Sequence, residues 1–170
     1  MDTVYITYNP GSEVEQTLAV RLHTIGAVNG FRMLLPDRLY SETVLDDETK
    51  QRIASADWFI LFSTQLNRSI VQQEIDHAVS SGLPASRIII IYNPAYPPQV
   101  IGSSSSQIFM APFDPWTQSF DEVAQDVLLT ISRGIRSEME AQSRQKNGLI
   151  ALLGIGLGLL ALNVLSSTEE

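Results

Sequence analysis

Residues Ile53 to Ala78 read IASADWFILFSTQLNRSIVQQEIDHA. Trp58-Phe59-Ile60-Leu61-Phe62 is a continuous apolar run of strand length. Side chains alternate between faces along a strand, so a run apolar at both parities predicts a central strand covered on both sides. Ser63 to Arg68 is polar and reads as a loop. A helix follows, and at about 100° per residue Val71, Ile75, Ala78 and Val79 form its apolar stripe. Glu74 falls at the border of that buried face, between Ile70 and Ala78, whereas Asp76 projects to the opposite side. A carboxylate at an apolar border is partly desolvated, which costs free energy and favours its neutral form. Glu74 therefore reads in two ways. It is either a catalytic carboxylate, or a structural one that bends out to water or pairs with His77 one turn later.

Upstream, Val4-Tyr5-Ile6-Thr7-Tyr8 is β-branched and aromatic and predicts the first strand; Asn9-Pro10-Gly11-Ser12 is a turn that ends it. Val14, Leu18, Leu22 and Ile25 recur at helical spacing, and Gly26 and Asn29-Gly30 close that helix. His23 lies off the stripe and reads as a surface histidine. Phe31 to Leu35 is strand two, stopped by Pro36. Asp37 to Leu45 is a polar connection, and Asp46 caps a short helix that buries Ile53 and Ala56. Downstream, Arg87 to Tyr92 is strand four and Ile108 to Ala111 strand five, ended by Pro112. Ser119-Phe120-Asp121-Glu122 is a capping box that opens a last helix, burying Phe120, Val123, Val127, Leu128 and Ile131.

Strands alternating with helices imply an α/β fold: a parallel sheet with helices on both faces and right-handed crossovers. Five strands fit the flavodoxin-like order 2-1-3-4-5. Ligands of such sheets bind outside the carboxyl ends of the strands at the switch point, here strands one and three. The loops at that place are Asn9 to Ser12 and Ser63 to Arg68. Tyr8 and Ser63 stand at its rim, and each reads equally as a ligand contact or as a turn or core residue.

The whole chain of 170 residues carries a net charge of −8 and a pI near 4.7. That balance argues against a nucleic-acid partner, which needs a clustered basic face. The absence of cysteine removes disulfides, thiolate catalysis and cysteine-ligated zinc. Two histidines far apart, His23 and His77, make a histidine metal site an unattractive reading.

Gly148 to Leu165, GLIALLGIGLGLLALNVL, holds no charge and is apolar all round. At 1.5 Å per residue it reaches roughly 27 Å, close to the thickness of a hydrocarbon core. The sequence thus predicts residues 148–165 as a transmembrane helix, residues 137–147 as a polar linker or helix extension, and 166–170 as a short tail. Arg133, Arg136, Arg144 and Lys146 precede the span and only acidic and hydroxyl residues follow it. The positive-inside rule then expects a tail-anchored, single-pass protein with its N-terminal domain in the cytoplasm. Gly154 and Gly158 form a GxxxG pair that lets helices approach closely, so self-association in the membrane is expected.

Residues 1–136 resemble a Toll/interleukin-1 receptor (TIR) domain of the bacterial type. Val4 to Tyr8 is similar to the family's opening strand. Ile53 to Asp57, the strand to Ser63, and Arg68-Ser69-Ile70-Val71-Gln72-Gln73-Glu74-Ile75-Asp76-His77-Ala78 resemble its helix–strand–helix block, the more specific part. The resemblance implies cleavage of NAD+ at the nicotinamide–ribose bond by a hydrolase or cyclase, with Glu74 as the catalytic carboxylate and no metal. It implies a gating and assembly loop over Pro36 to Leu45, assemblies in which a neighbour completes the site, and a role in antiphage defence or signalling. Pro36, Arg38 and Ile70 thereby join Tyr8, Asn9, Ser12 and Ser63 as expected substrate contacts, although Arg38 also reads as an exposed charge. Two departures stand out. Ile70 occupies the position of a family tryptophan, and the acidic residue after the first strand is displaced, with Glu13 nearest.

Cleavage through an oxocarbenium-like state suits one carboxylate, and nicotinamide leaves as a neutral base. Two other readings stay open. One is a non-catalytic module that clusters through its domain and anchor. The other is an enzyme like the nucleoside deoxyribosyltransferases, which also set a glutamate against a ribose.

Overall fold

A computed structural model describes residues 1–37, 44–65, 69–97, 107–114 and 116–141. Arg38, most of the connection after Pro36, residues 66–68, and the apolar stretch 148–165 with Gly154 and Gly158 lie outside the described residues. Among the described residues no helix is long and apolar enough to cross a membrane.

The elements run β1 (Thr3–Thr7), α1 (Glu13–Val28), β2 (Arg32–Leu34), α2 (Asp47–Ala54), β3 (Trp58–Ser63), α3 (Ser69–Ser80), a 3-10 turn (Ala85–Arg87), β4 (Ile88–Tyr92) and β5 (Phe109–Pro112). The strands form one parallel sheet in the order β2-β1-β3-β4-β5. The expected architecture is therefore present. β2 is shorter than its apolar run, three residues rather than five, and β5 is displaced by one residue to include Pro112. As an edge strand, β5 tolerates a residue without an N–H. Two compact units divide the chain: Met1–Leu129, which holds the sheet, and Thr130–Glu170. In the first, helical residues begin again at 120; the described part of the second is helical to residue 141.

β1, β3 and β4 are buried along nearly their whole length, as their double-sided apolar runs require. The pleat sorts their side chains. Tyr5, Phe59, Leu61, Ile88 and Ile90 share one face and pack with Ile53 of α2 and with Ile70, Val71 and Ala78 of α3. Tyr5 stacks on Phe59 with ring centroids 5.6 Å apart. On the other face Phe62 meets Phe120, 5.9 Å between centroids, and Arg21 of α1 pairs with Asp121 at 2.7 Å. Each buried aromatic contributes about 2–3 kcal/mol by removing its ring from water. Asp57 fixes where β3 starts: its carboxylate accepts from the Thr3 N–H and its own N–H donates to the Thr3 carbonyl, both at 2.8 Å.

α1 departs from the expected stripe. Its buried residues are Glu15, Leu18, Ala19, Leu22 and Gly26, while Val14 is exposed. Gly26 does not end the helix. It lies inside α1 where the helix crosses β2, and a Cβ there would stand 2.5 Å from Met33 Sδ. The helix ends at Val28, followed by Asn29 as cap and Gly30 at φ +86°. That left-handed conformation favours glycine.

Candidate active site

α3 carries Glu74 into the sheet. Ile70, Val71, Glu74 and Ala78 are its buried residues; Val79 is exposed. The buried face is thus rotated from the expected stripe, and Glu74 lies at its centre rather than its border. The side chain is 0% exposed. It neither bends out to water nor pairs with His77, whose Nε2 lies 3.2 Å from the Lys50 carbonyl instead. Glu74 Oε1 accepts from the Tyr5 hydroxyl at 3.1 Å, and Oε2 accepts from the Thr7 hydroxyl in a short bond. Tyr5 and Thr7 stand two residues apart on β1 and so project from the same face, toward α3. A buried carboxylate persists only with such partners.

Polar groups gather around that end of the sheet. Ser63, 2% exposed, closes β3 on the same face as Phe59 and Leu61 and is registered with Tyr92 of β4. Next to Glu74, Gln73 Oε1 accepts from the Leu45 N–H at 3.4 Å, which ties the chain entering α2 to α3. Asp46 caps α2. The Thr49 N–H, 2.7 Å from Asp46 Oδ1, holds that carboxyl below the usual carboxylate range.

A second buried carboxylate lies across the sheet. Glu15 is 0% exposed, and Asn9 and Thr64 bind it from the ends of β1 and β3. The expected acidic residue at this place, Glu13, is exposed. Ser12-Glu13-Val14-Glu15 has the spacing of a capping box, which marks Glu15 for a local role only. Ser12 is indeed the N-cap, with its hydroxyl accepting from the Glu15 N–H at 3.3 Å.

The expected substrate contacts therefore separate. Asn9 and Ser12 belong to the Glu15 network, and Tyr8 is a buried residue between Thr7, which donates to Glu74, and Asn9, which donates to Glu15. Ser63 shares the Glu74 face. Ile70 is a core residue one turn before Glu74, 1% exposed. Pro36 lines a different place, a cleft of about 830 Å³ between β2 and α2 that neither glutamate borders. Sequence reasoning did not single out Thr7, Glu15 or Thr64. Among the described residues no group of three or more His, Asp or Glu is placed to hold a metal ion.

A hydroxyl-bound carboxylate beside the carboxyl ends of β1 and β3 suits chemistry at a sugar, where it stabilises positive charge or orients a hydroxyl. No family model matches the sequence, and no curated protein matches it. Solved structures do match, among them the CMP N-glycosidase BcmB of Clostridium botulinum, with a TM-score of 0.53 and 15% identity over 75% of this chain and 99% of that one. The likeness is one of fold. It extends over nearly the whole of that glycosidase.

Proposed function

We propose that this chain cleaves the N-glycosidic bond of a nucleotide, with Glu74 as the carboxylate at the ribose. The observation that carries the reading is the fully buried Glu74, held by Tyr5 and Thr7 beside the switch point of the sheet. The fold likeness to a CMP N-glycosidase supports the class of bond, and the resemblance of residues 1–136 to bacterial TIR domains makes NAD+ the first substrate. The bond between nicotinamide and ribose C1′ breaks heterolytically, and nicotinamide takes the electron pair and leaves neutral. Glu74 stabilises the oxocarbenium-like ribose. Water adds at C1′ and loses a proton, giving ADP-ribose; attack by a group of the same molecule gives a cyclic product. Tyr5 and Thr7 fix the carboxylate's orientation before the charge develops. Because Glu74 is covered, a nucleotide reaches it only after the side chains over it move.

The proposal includes an anchor. Residues 148–165 hold the domain at a membrane with its large part cytoplasmic, and the Gly154/Gly158 face and the domain itself assemble copies there. Crowding at a membrane suits a site that a neighbour completes, and NAD+ depletion or a cyclic signal suits antiphage defence.

Two observations favour other readings. The glycosidase likeness favours a nucleoside monophosphate substrate, whose pyrimidine leaves less readily than nicotinamide and needs a proton donor. The complete burial of Glu74 favours a module in which that carboxylate only fixes packing. One experiment separates them: the full chain in liposomes at high surface density, given NAD+ or CMP, beside Glu74→Gln. NAD+ turnover that vanishes in the variant supports the reading. CMP turnover alone replaces the substrate. Equal NAD+ turnover by both proteins removes Glu74 from the chemistry, and inertness of both toward either nucleotide favours the packing module.

A further inference from the structure

Glu15 is a buried carboxylate that the proposed reaction does not use. It sits three residues after the N-cap Ser12 of α1. A glutamate at that spacing ordinarily turns back onto the N–H of the cap. Here it reaches across the carboxyl ends of two central strands instead. Oε2 accepts from the Asn9 N–H at 2.7 Å and from Asn9 Nδ2 at 2.9 Å. Oε1 accepts from the Thr64 N–H at 2.7 Å and the Thr64 hydroxyl at 2.8 Å. Asn9 lies just past β1 and Thr64 just past β3. The register between these strands ends at Thr7 and Leu61, so no ladder pairing holds the two segments to each other beyond it. One side chain of α1 takes over at the point where the strands part. That point is the crevice in which open α/β sheets bind ligands.

We infer that Glu15 is a positioning residue that sets the width of the crevice between the ends of β1 and β3. It preorganises the crevice for a nucleotide while Glu74 acts from the opposite face of the sheet. The ligand in this inference rests on the nucleotide-cleaving reading above; the bracing of the two strand ends does not. Bonds to a carboxylate are about twice as strong as neutral ones, and holding a site in its bound geometry removes an ordering cost from binding. Loss of the brace therefore weakens binding before it touches the chemical step.

The conservative variant is Glu15→Gln. It keeps the shape, but its amide NH₂ must meet N–H donors of Asn9 or Thr64, so the brace that holds the two strand ends together is lost and both loosen. Thr64→Val removes one donor and Thr64→Ser keeps both. The test is steady-state NAD+ cleavage by the full chain in liposomes, with amide hydrogen exchange on the same preparations. Glu15→Gln is expected to raise KM about tenfold or more with little change in kcat, and to speed exchange at the Asn9 and Thr64 amides about tenfold. Thr64→Val shifts KM the same way by less, and Thr64→Ser restores what Thr64→Val loses. An unchanged KM, or a loss of kcat that follows a loss of folded protein, overturns the inference. If the wild type cleaves no nucleotide, the nucleotide reading fails and exchange decides alone. Faster exchange confined to Asn9 and Thr64 then supports the brace, and unchanged or chain-wide loss of protection overturns it.

Discussion

Thr64 donates twice to one oxygen of Glu15, through its N–H at 2.7 Å and its hydroxyl at 2.8 Å, across 49 residues of chain. Both groups serve an acceptor on α1, which packs against β1, β2 and β3. Truncation of that acceptor leaves donors of Asn9 and Thr64 without it. Glu15→Ala is expected to cost about 3 kcal/mol, and Thr64→Val about 1 kcal/mol. Urea unfolding followed by circular dichroism measures both, and a Glu15→Ala cost under that of Thr64→Val contradicts the account.

The Glu74 cluster predicts a different pattern, because its partners are side chains and can be removed with it. Glu74→Leu alone removes the acceptor of the Tyr5 and Thr7 hydroxyls and is expected to cost about 2 kcal/mol. Adding Tyr5→Phe and Thr7→Val removes those hydroxyls as well and recovers most of that stability, since an apolar replacement of a buried polar set is often neutral. The triple variant is expected to be folded, near wild-type in stability and inactive. Thermal unfolding beside nucleotide cleavage reads both outcomes.

Asp46 ties the pH dependence of stability to the start of α2. Its carboxyl is held below the usual range chiefly by the Thr49 N–H. A lowered folded value means the stabilisation is full above the unfolded value, about 3.9, and is lost as pH falls through the lower folded value. Asp46→Ala is expected to cost about 1 kcal/mol at neutral pH. The difference between the two proteins should shrink below about pH 4, which a series of unfolding curves from pH 7 to pH 3 checks.

Gly26 lies where α1 crosses β2, with Met33 Sδ and Cε at 2.5 and 2.7 Å from a Cβ built there. A larger residue has to displace Met33. Gly26→Leu is expected to cost about 2 kcal/mol by overpacking. Met33→Ala in the same protein returns part of it, a coupling that a double-mutant cycle in urea detects.

Strand runs such as Trp58 to Phe62 and Ile88 to Ile91 made the sheet and its order legible in sequence, because burial on both faces leaves no other place for them. Glu74 was legible as a carboxylate on an apolar helix, but its exact depth was not. The face that buries it is chosen by Ile70 together with Tyr5 and Thr7, and the latter lies 67 residues away. Glu15 was hidden for a related reason. Its spacing from Ser12 satisfies a local capping pattern, so nothing nearby signals that the side chain serves Thr64. Val14 fitted a helical stripe as well as Glu15 did, and only the position of β3 decides between them.

The strands that flank the site are apolar on both faces, so their side chains alone would accept a pairing shifted by one residue. Such a shift of β1 would turn Ile6 and Tyr8 toward α3 and carry Tyr5 and Thr7 to the far side. Such an exchange keeps apolar groups on both faces, but it takes the Tyr5 and Thr7 hydroxyls away from the buried Glu74. The carboxylate thus serves as a frame marker for the central strand. It favours the alignment that keeps the Tyr5 and Thr7 hydroxyls on the buried carboxyl group.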